Sequence, residues 1–454
     1  MQRRDLLARL GAAGIGLAAP AISSRAYALP AQADARFLLV FLRGGYDAAS
    51  VVVPVASDFY YAARPTIAIK RPVAATPAAP GNPSAEPPAD PQAALALADG
   101  WALHPALRDT LLPLWTQGQL AFVPFAGTDD LSRSHFETQD GVEAGLPMAG
   151  DHSTSAAPPA ERGTGFLNRL AAAMGGSAAP VAFTDGLPLV MSGPQNVPNV
   201  SLKGTGRTPF DARQAQLFAT MYRGTRFESL ITEGFELRQT VAQEAEALQK
   251  RDAARAAGMP RPTDNSMGAG NIAARMQEMD AASRRALSAR GFEVEARRMA
   301  ALMRDRFNLG FIDVGGWDTH VNQGAAQGQL ANLLDNLGRG IAGFADEIGT
   351  PMWNRTVVVV ISEFGRTFRE NGTRGTDHGH GTAYWVAGGA VRGGRLAGEQ
   401  VVVGQATLNQ NRDLPVLNEY RAVLGGVFQR IYGLDAARLA QVFPGAGPKD
   451  IGLV

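Results

Sequence analysis

Among the side chains between Leu309 and Gly394 that can ligate a metal ion or carry a proton, six gather behind two predicted strands: Asp318, His320, Glu363, Asp377, His378 and His380. They lie in two glycine-rich segments, GGWDTH and SEFGRTFRENGTRGTDHGHG, which hold three of the chain's six histidines. Imidazole nitrogens and carboxylate oxygens are donors that divalent cations take. Asp318, His320, Glu363, His378 and His380 are therefore read as metal ligands. Asp47, released by the Gly44-Gly45 turn of RGGYD, is a further candidate, although an Asp at a strand end is also ordinary turn chemistry. The expected cofactor is one or two divalent ions drawn from Zn, Mg, Mn or Ca. Ser132 and Ser134, in TDDLSRSHF, are candidate nucleophiles at the start of a helix, where a hydroxyl is otherwise simply the cap. Arg366, three residues past Glu363, is a candidate contact for an anionic substrate oxygen, as is Arg43. Either arginine has the alternative of pairing with a neighbouring carboxylate.

These groups need elements that bring them to one place. Leu309–Val314 and Val357–Ile361 are short β-branched apolar runs, the signature of strands buried on both faces. Each breaks into one of the polar segments, so the ligating residues fall just past strand ends, where open α/β sheets bind ligands. Ala35–Leu42 is a third such strand and leads to Asp47. Leu120–Phe125 leads to the serine segment, with a helix expected from Phe136 to Val142 and Asp130 or Ser132 as its cap. Pro180–Phe183, Tyr384–Ala387 and Gln400–Val403 read as further strands. Between the two site-bearing strands, Leu330, Leu333, Leu334, Leu337, Ile341 and Phe344 mark the buried side of a helix over Gln323–Ile348. Strand, helix and strand in that order imply a parallel pair with a right-handed crossover. Leu417–Tyr432 is a closing helix. The fold class is α/β, a mostly parallel central sheet sandwiched by helices.

The remainder divides by composition. Residues 1–33 read as a twin-arginine signal: Arg3-Arg4, a weak apolar stretch over Gly11–Ile22, and Ala26-Tyr27-Ala28 as a small-x-small cleavage site. The expected location is periplasmic or secreted, with no membrane span once the signal is removed. Residues 34–454 form a single domain carrying a Pro/Ala-rich loop over 70–100 and a helical insertion over about 211–307. In the insertion Phe292, Ala296, Met299, Met303 and Phe307 repeat at helical spacing. Lys and Arg total 43 against 42 acidic residues without basic blocks, which excludes a nucleic-acid partner. Cysteine is absent, which excludes disulfides, thiolate metal sites and cysteine nucleophiles.

Five segments in order, LRGGYDAAS, SRSHFETQD, GGWDTH, SEFGR and GTDHGHG, resemble the exported bacterial domain-of-unknown-function family 1501, over nearly the whole chain beyond the signal. That family is placed in the alkaline phosphatase/sulfatase-like superfamily. The resemblance implies a metal-dependent hydrolase of phosphate or sulfate esters. Asp47 would take the first ligand position, Ser134 or Ser132 the nucleophile, Asp318 and His320 the third position, and His378 or His380 the last. Its partner would be a small anionic ester or, in a non-catalytic relative, a second exported protein. Where phosphatases of the superfamily carry Asp-His after a strand, this chain has Glu363-Phe364. Glu363 can still coordinate and Phe364 cannot, so the expectation is a site reduced to a single ion or none unless His378 and His380 both reach in.

Overall fold

The run RFLLVFL forms β1 (Arg36–Leu42), buried on both faces. Its side chains alternate between two cores, as the two-residue period of a strand requires. Leu38, Val40 and Leu42 face one core, with the helices Phe292–Asp305 and Gln329–Ile348. Phe37, Leu39 and Phe41 face the other, with the helices Phe166–Met174, Tyr420–Tyr432 and Ala436–Val442. This computed structural model describes residues 34–72, 90–98, 100–147, 163–202, a few positions between 217 and 228, 287–288 and 291–454.

The other strands, in chain order, are β2 (Val52–Val53), β3 (Leu95–Ala96), β4 (Ala102–Leu103), β5 (Leu120–Gly127), β6 (Pro180–Ala182), β7 (Leu287–Ser288) and β8 (Leu309–Gly315). They continue with β9 (Thr356–Ser362), β10 (Thr382–Ala387), β11 (Arg395–Leu396) and β12 (Asn418–Glu419). The main sheet runs β11-β5-β10-β9-β1-β8-β6, with β12 beside β5 and β7 beside β8. β1 pairs in parallel with both β8 and β9, whereas β10 runs antiparallel to β9 and β5. The result is a mixed, mostly parallel α/β sheet flanked by helices. β2, β4 and β3 form a small antiparallel sheet beside it.

Several expectations need correction. β8 and β9 are parallel and joined by the helix Gln329–Ile348, but β1 lies between them, so the crossover spans one strand instead of forming an adjacent pair. That helix starts at Gln329 and not Gln323, because Gly324 and Gly328 take left-handed φ values and hold a turn ahead of it. Gln400–Val403 is not a strand; the edge pairing on β5 is made by Arg395–Leu396 instead. The end of the Pro/Ala-rich stretch is not a loop that buries little, since Ala93, Ala94 and Leu95 are buried and Leu95 enters β3. The signal segment, most of that stretch and most of the expected insertion lie outside the described residues, except the helix Phe292–Asp305, which buries Phe292, Ala296, Met299 and Met303 as the stripe predicts. No helix among the described residues is long and apolar enough to cross a membrane.

Candidate metal centre

β1, β5, β8 and β9 end at one edge of the sheet, and the antiparallel β10 begins there. The segments that follow β5 and β8 supply His135, Asp318 and His320; the segment before β10 supplies His378. Nε2 of His135 lies 2.9 Å from Nε2 of His378, which lies 3.1 Å from Nε2 of His320. Asp318 Oδ1 is 2.9 Å from His320 Nε2 and 3.3 Å from His378 Nε2, and its Oδ2 is 3.6 Å from His135 Nε2. His135, Asp318 and His378 form a group with donor atoms mutually close enough to hold one metal ion.

The far side of each imidazole fixes its tautomer. His135 Nδ1 is 2.8 Å from Glu363 Oε1, His320 Nδ1 is 3.2 Å from Asp377 Oδ1, and His378 Nδ1 is 3.1 Å from the Arg133 carbonyl. A carboxylate or a carbonyl can only accept, so each Nδ1 donates, and in the neutral ring each Nε2 keeps its lone pair. Lone pairs converging at about 3 Å repel unless a cation or a proton stands between them. Tying the outer nitrogen of a ligating histidine to a carboxylate or carbonyl is how metal sites orient their ligands.

Burial sharpens the requirement for positive charge. Asp318 is almost wholly buried, and its Oδ2 has no hydrogen-bond partner, a costly state for a carboxylate oxygen. Arg366 donates to its Oδ1 at 2.5 Å. Behind His135, Glu363 Oε1 also accepts from Gly44 N–H and Gln139 Nε2–H. Gln139 in turn accepts from Arg43, which pairs with Glu143 at 2.8 Å and Asp313 at 2.6 Å. Counting only the buried groups of this network, with the exposed Asp377 left to solvent and the histidines neutral, Asp313, Asp318, Glu143 and Glu363 supply four negative charges against the positive charges of Arg43 and Arg366. The surplus of two matches one divalent cation.

Titration follows the same logic. Burial disfavours the charged form of His135, but hydrogen bonds to Asp318 and Glu363, with their charges, raise it to about 9. Burial likewise opposes ionisation of Asp318, and the facing Nε2 atoms of His135, His320 and His378, wherever one carries a proton, together with the Arg366 charge, hold it far below the usual carboxylate range. Desolvation, with the charges of His135 and Arg366, lowers His378. Without metal, a proton on His135 Nε2 therefore fills the place of a cation.

Local backbone builds the pocket at some cost. Gly44 and Gly45 have φ of +122° and +63°, and a Cβ on Gly44 would stand 2.6 Å from Asp318 N. Among the described residues, five of the six non-glycine positions with positive φ lie in the loops around the cluster: Arg133, Asn322, Arg374, Gln410 and Asn411. Strain concentrated in this way belongs to functional sites more than to scaffolds. Phe364 packs against the assembly at a tilt, its ring centroid 4.9 Å from that of His135 and 5.2 Å from that of His378.

The residues singled out in the sequence fall into three groups. Asp318, His320 and His378 come together. Glu363 and Arg366 adjoin them in other positions: Glu363 orients His135, and Arg366 is spent on Asp318, Gly44 O and Thr376, the pairing alternative to a substrate contact. Asp47 and His380 are not among the converging donors. Both Asp47 oxygens accept from the buried Arg64, and its Oδ2 also accepts from Gln323 and Ser50. His380 is buried with Nδ1 unpartnered, and its carbonyl accepts from Gly365 N–H. Ser132 donates to Asp130. Ser134, not Asp130 or Ser132, is the helix cap position, and its hydroxyl makes no capping bond. His135 was missed. The signal for it is the polar stripe His135, Gln139 and Glu143 at four-residue spacing along one helix, all three buried.

Comparison with known proteins adds the following. A solved structure of a 2-O GAG sulfatase is similar at 8% identity, covering 88% of this chain and 71% of that one, with a TM-score of 0.28, too low to carry an argument. No curated protein matches the chain. The model of the DUF1501 family, described as a protein of unknown function, matches residues 34–443, and the chain belongs to that family.

Proposed function

We propose that the protein is an exported, metal-dependent hydrolase of phosphate or sulfate esters, with one divalent ion held by His135, Asp318 and His378 and completed by His320. The supporting observation is that three Nδ1-anchored imidazoles and the unpartnered Oδ2 of Asp318 meet in a buried network two charges short of neutrality. Three nitrogen donors with one carboxylate suit Zn²⁺ better than Mg²⁺ or Ca²⁺, which take oxygen ligands. When bound, such an ion polarises an ester oxygen and lowers the pKa of water. The chain's own residues provide the rest. Arg366 holds Asp318 in place, and Glu363, Asp377 and the Arg133 carbonyl hold the imidazoles. Ser134, with an uncapped hydroxyl beside His135 at a helix start, is the nucleophile of choice; Ser132 is committed to Asp130.

The test is metal analysis of the purified protein together with hydrolysis of an aryl phosphate and an aryl sulfate. Turnover that disappears with a chelator, and in His378→Ala, is expected; no bound metal would refute the reading. Export rests on Arg3-Arg4 and Ala26-Tyr27-Ala28. Changing both arginines to lysine is expected to retain the protein in the cytoplasm, and unchanged export would count against a twin-arginine signal. A second reading, a non-catalytic binding or assembly accessory, is favoured by the commitment of Arg366 to Asp318, which removes one expected anion contact. Metal bound without turnover on either ester would support it.

A further inference from the structure

The segment between β11 and β12 touches the ligand set at one remove. Arg133 precedes the His135 helix and adopts φ of 55°, a left-handed conformation that strains a residue with a side chain. In this conformation its carbonyl meets His378 Nδ1 at 3.1 Å. Its guanidinium is clamped from the other side: Nε and Nη2 donate to Asp413 Oδ2 at 3.0 and 2.6 Å, and Nη2 donates to Gln410 Oε1 at 2.9 Å. Asp413 is fully buried and also pairs with Arg412 at 3.1 Å. Gln410 and Asn411 themselves have φ of 52° and 55°, and Asp413 N–H is bonded back to Asn409 O. The turn is thus tightly tied before it grips Arg133.

We propose that Asp413 is a positioning residue for the metal centre: its ion pair with Arg133 holds the strained backbone that presents the Arg133 carbonyl to His378. This rests on the metal-binding reading above. A buried carboxylate oxygen that accepts from both Nε and Nη2 of one guanidinium limits its direction as well as its distance. The carbonyl then selects the Nδ1–H tautomer of His378 and leaves Nε2 free for the ion. Residues that orient a ligating histidine in this way change metal affinity by about 10- to 100-fold when removed.

The experiment uses the full-length protein, with Zn²⁺ affinity measured by chelator competition for wild type, Asp413→Asn, Arg133→Ala and the double variant. Each single change is expected to weaken Zn²⁺ at least about 10-fold, and the double variant should be no weaker than the worse single one, because both act through one carbonyl. In the Co²⁺-loaded protein, the exchangeable Nδ1–H signal of His378 should broaden in Asp413→Asn while that of His135 persists. If a single variant does not fold, Gln410→Ala, which removes only one bond to Arg133, is expected to give a smaller loss in the same direction. Wild-type affinity in the folded variants, or additive losses in the double variant, would overturn the positioning role while leaving the metal site standing. Absence of Zn²⁺ binding by the wild type would overturn both.

Discussion

Glu363 accepts the Nδ1–H of His135 at 2.8 Å, and that bond turns an expected ligand into the group that aims one. Glu363 is wholly buried, and its charge is kept in spite of burial by His135, Gln139 and Gly44. Replacing it with alanine leaves the ring of His135 free to rotate and to change tautomer. Glu363→Ala is expected to weaken metal binding by about 10- to 100-fold. Competition with a chromogenic chelator measures this, and an unchanged affinity would show that His135 is oriented by other contacts.

Binding should displace protons. With His135 raised to about 9 in the metal-free protein, its Nε2 is protonated at neutral pH and must lose that proton to become a ligand. Uptake of one ion at pH 7.5 is expected to release about one proton, and apparent affinity should climb as pH rises from 7 towards 9. Calorimetry in buffers of different ionisation enthalpy counts the protons. Release of none would mean that His135 stays out of the coordination sphere.

The close approach of the segments that follow β1 and β9 depends on a missing side chain at Gly45. A Cβ there would lie 2.5 Å from Phe364 Cε2, on a residue with φ of +63°. Gly45→Ala must therefore push the ring into His135 and His378, against which it is packed. A loss of roughly 1–3 kcal/mol of stability is expected from the overpacking and the backbone strain, together with weaker metal binding. Denaturant unfolding of Gly45→Ala alone and with Phe364→Leu checks it, since the smaller residue should restore the part lost to overpacking and leave the part lost to the left-handed φ.

His104 supplies a pH dependence independent of the metal. It is buried, Nδ1 accepts from Ala106 N–H, and Nε2 donates to the Ala325 carbonyl, so it is folded as the neutral ring. Desolvation lowers it to about 4 from its ordinary value of 6.5. Below pH 6.5 the unfolded chain takes up a proton that the folded chain refuses, so stability falls as pH drops from 6.5 towards 4 and levels off below. The loss by pH 5 is on the order of 2 kcal/mol. Chemical denaturation at pH 7.5 and pH 5 should show a shallower fall in His104→Asn than in the wild type.

The strands were legible because parallel strands buried on both faces are written as unbroken apolar runs: Leu309–Gly315 and Thr356–Ser362 are found within a residue or two of their expected ends. Once those ends are known, Asp318 and His320 must lie at the sheet edge. What local pattern does not carry is the choice of partner across the fold. Asp47 looks like a ligand until Arg64, seventeen residues on, takes both its oxygens. Arg366 looks like a substrate contact until Asp318 closes on it from another loop. His135 lies in SRSHFETQD, where the neighbouring serines are the plainer chemical candidates because a lone histidine has no spacing to read. Its stripe with Gln139 and Glu143 is a weaker sign, visible only when the buried polar face of the helix is considered as a whole.

On the proposed metal-binding reading, two residues that do not ligate limit the site to one ion. Phe364 places an aromatic ring against His135 and His378, where a nitrogen donor would be needed for a further cation. Asp47, the other acid expected to serve one, is neutralised by Arg64 and bonded to Gln323 and Ser50. A second divalent ion would have to break that buried pair, at a cost of several kcal/mol. The buried charge surplus around Asp318 is already met by one. One equivalent of metal per chain is therefore expected by elemental analysis, falling to none after chelation and in the Asp318→Ala variant. Any ester turnover should lack the clamp that paired ions place on both oxygens of an in-line displacement. Two equivalents in the wild type would show that the ring does not close the second position.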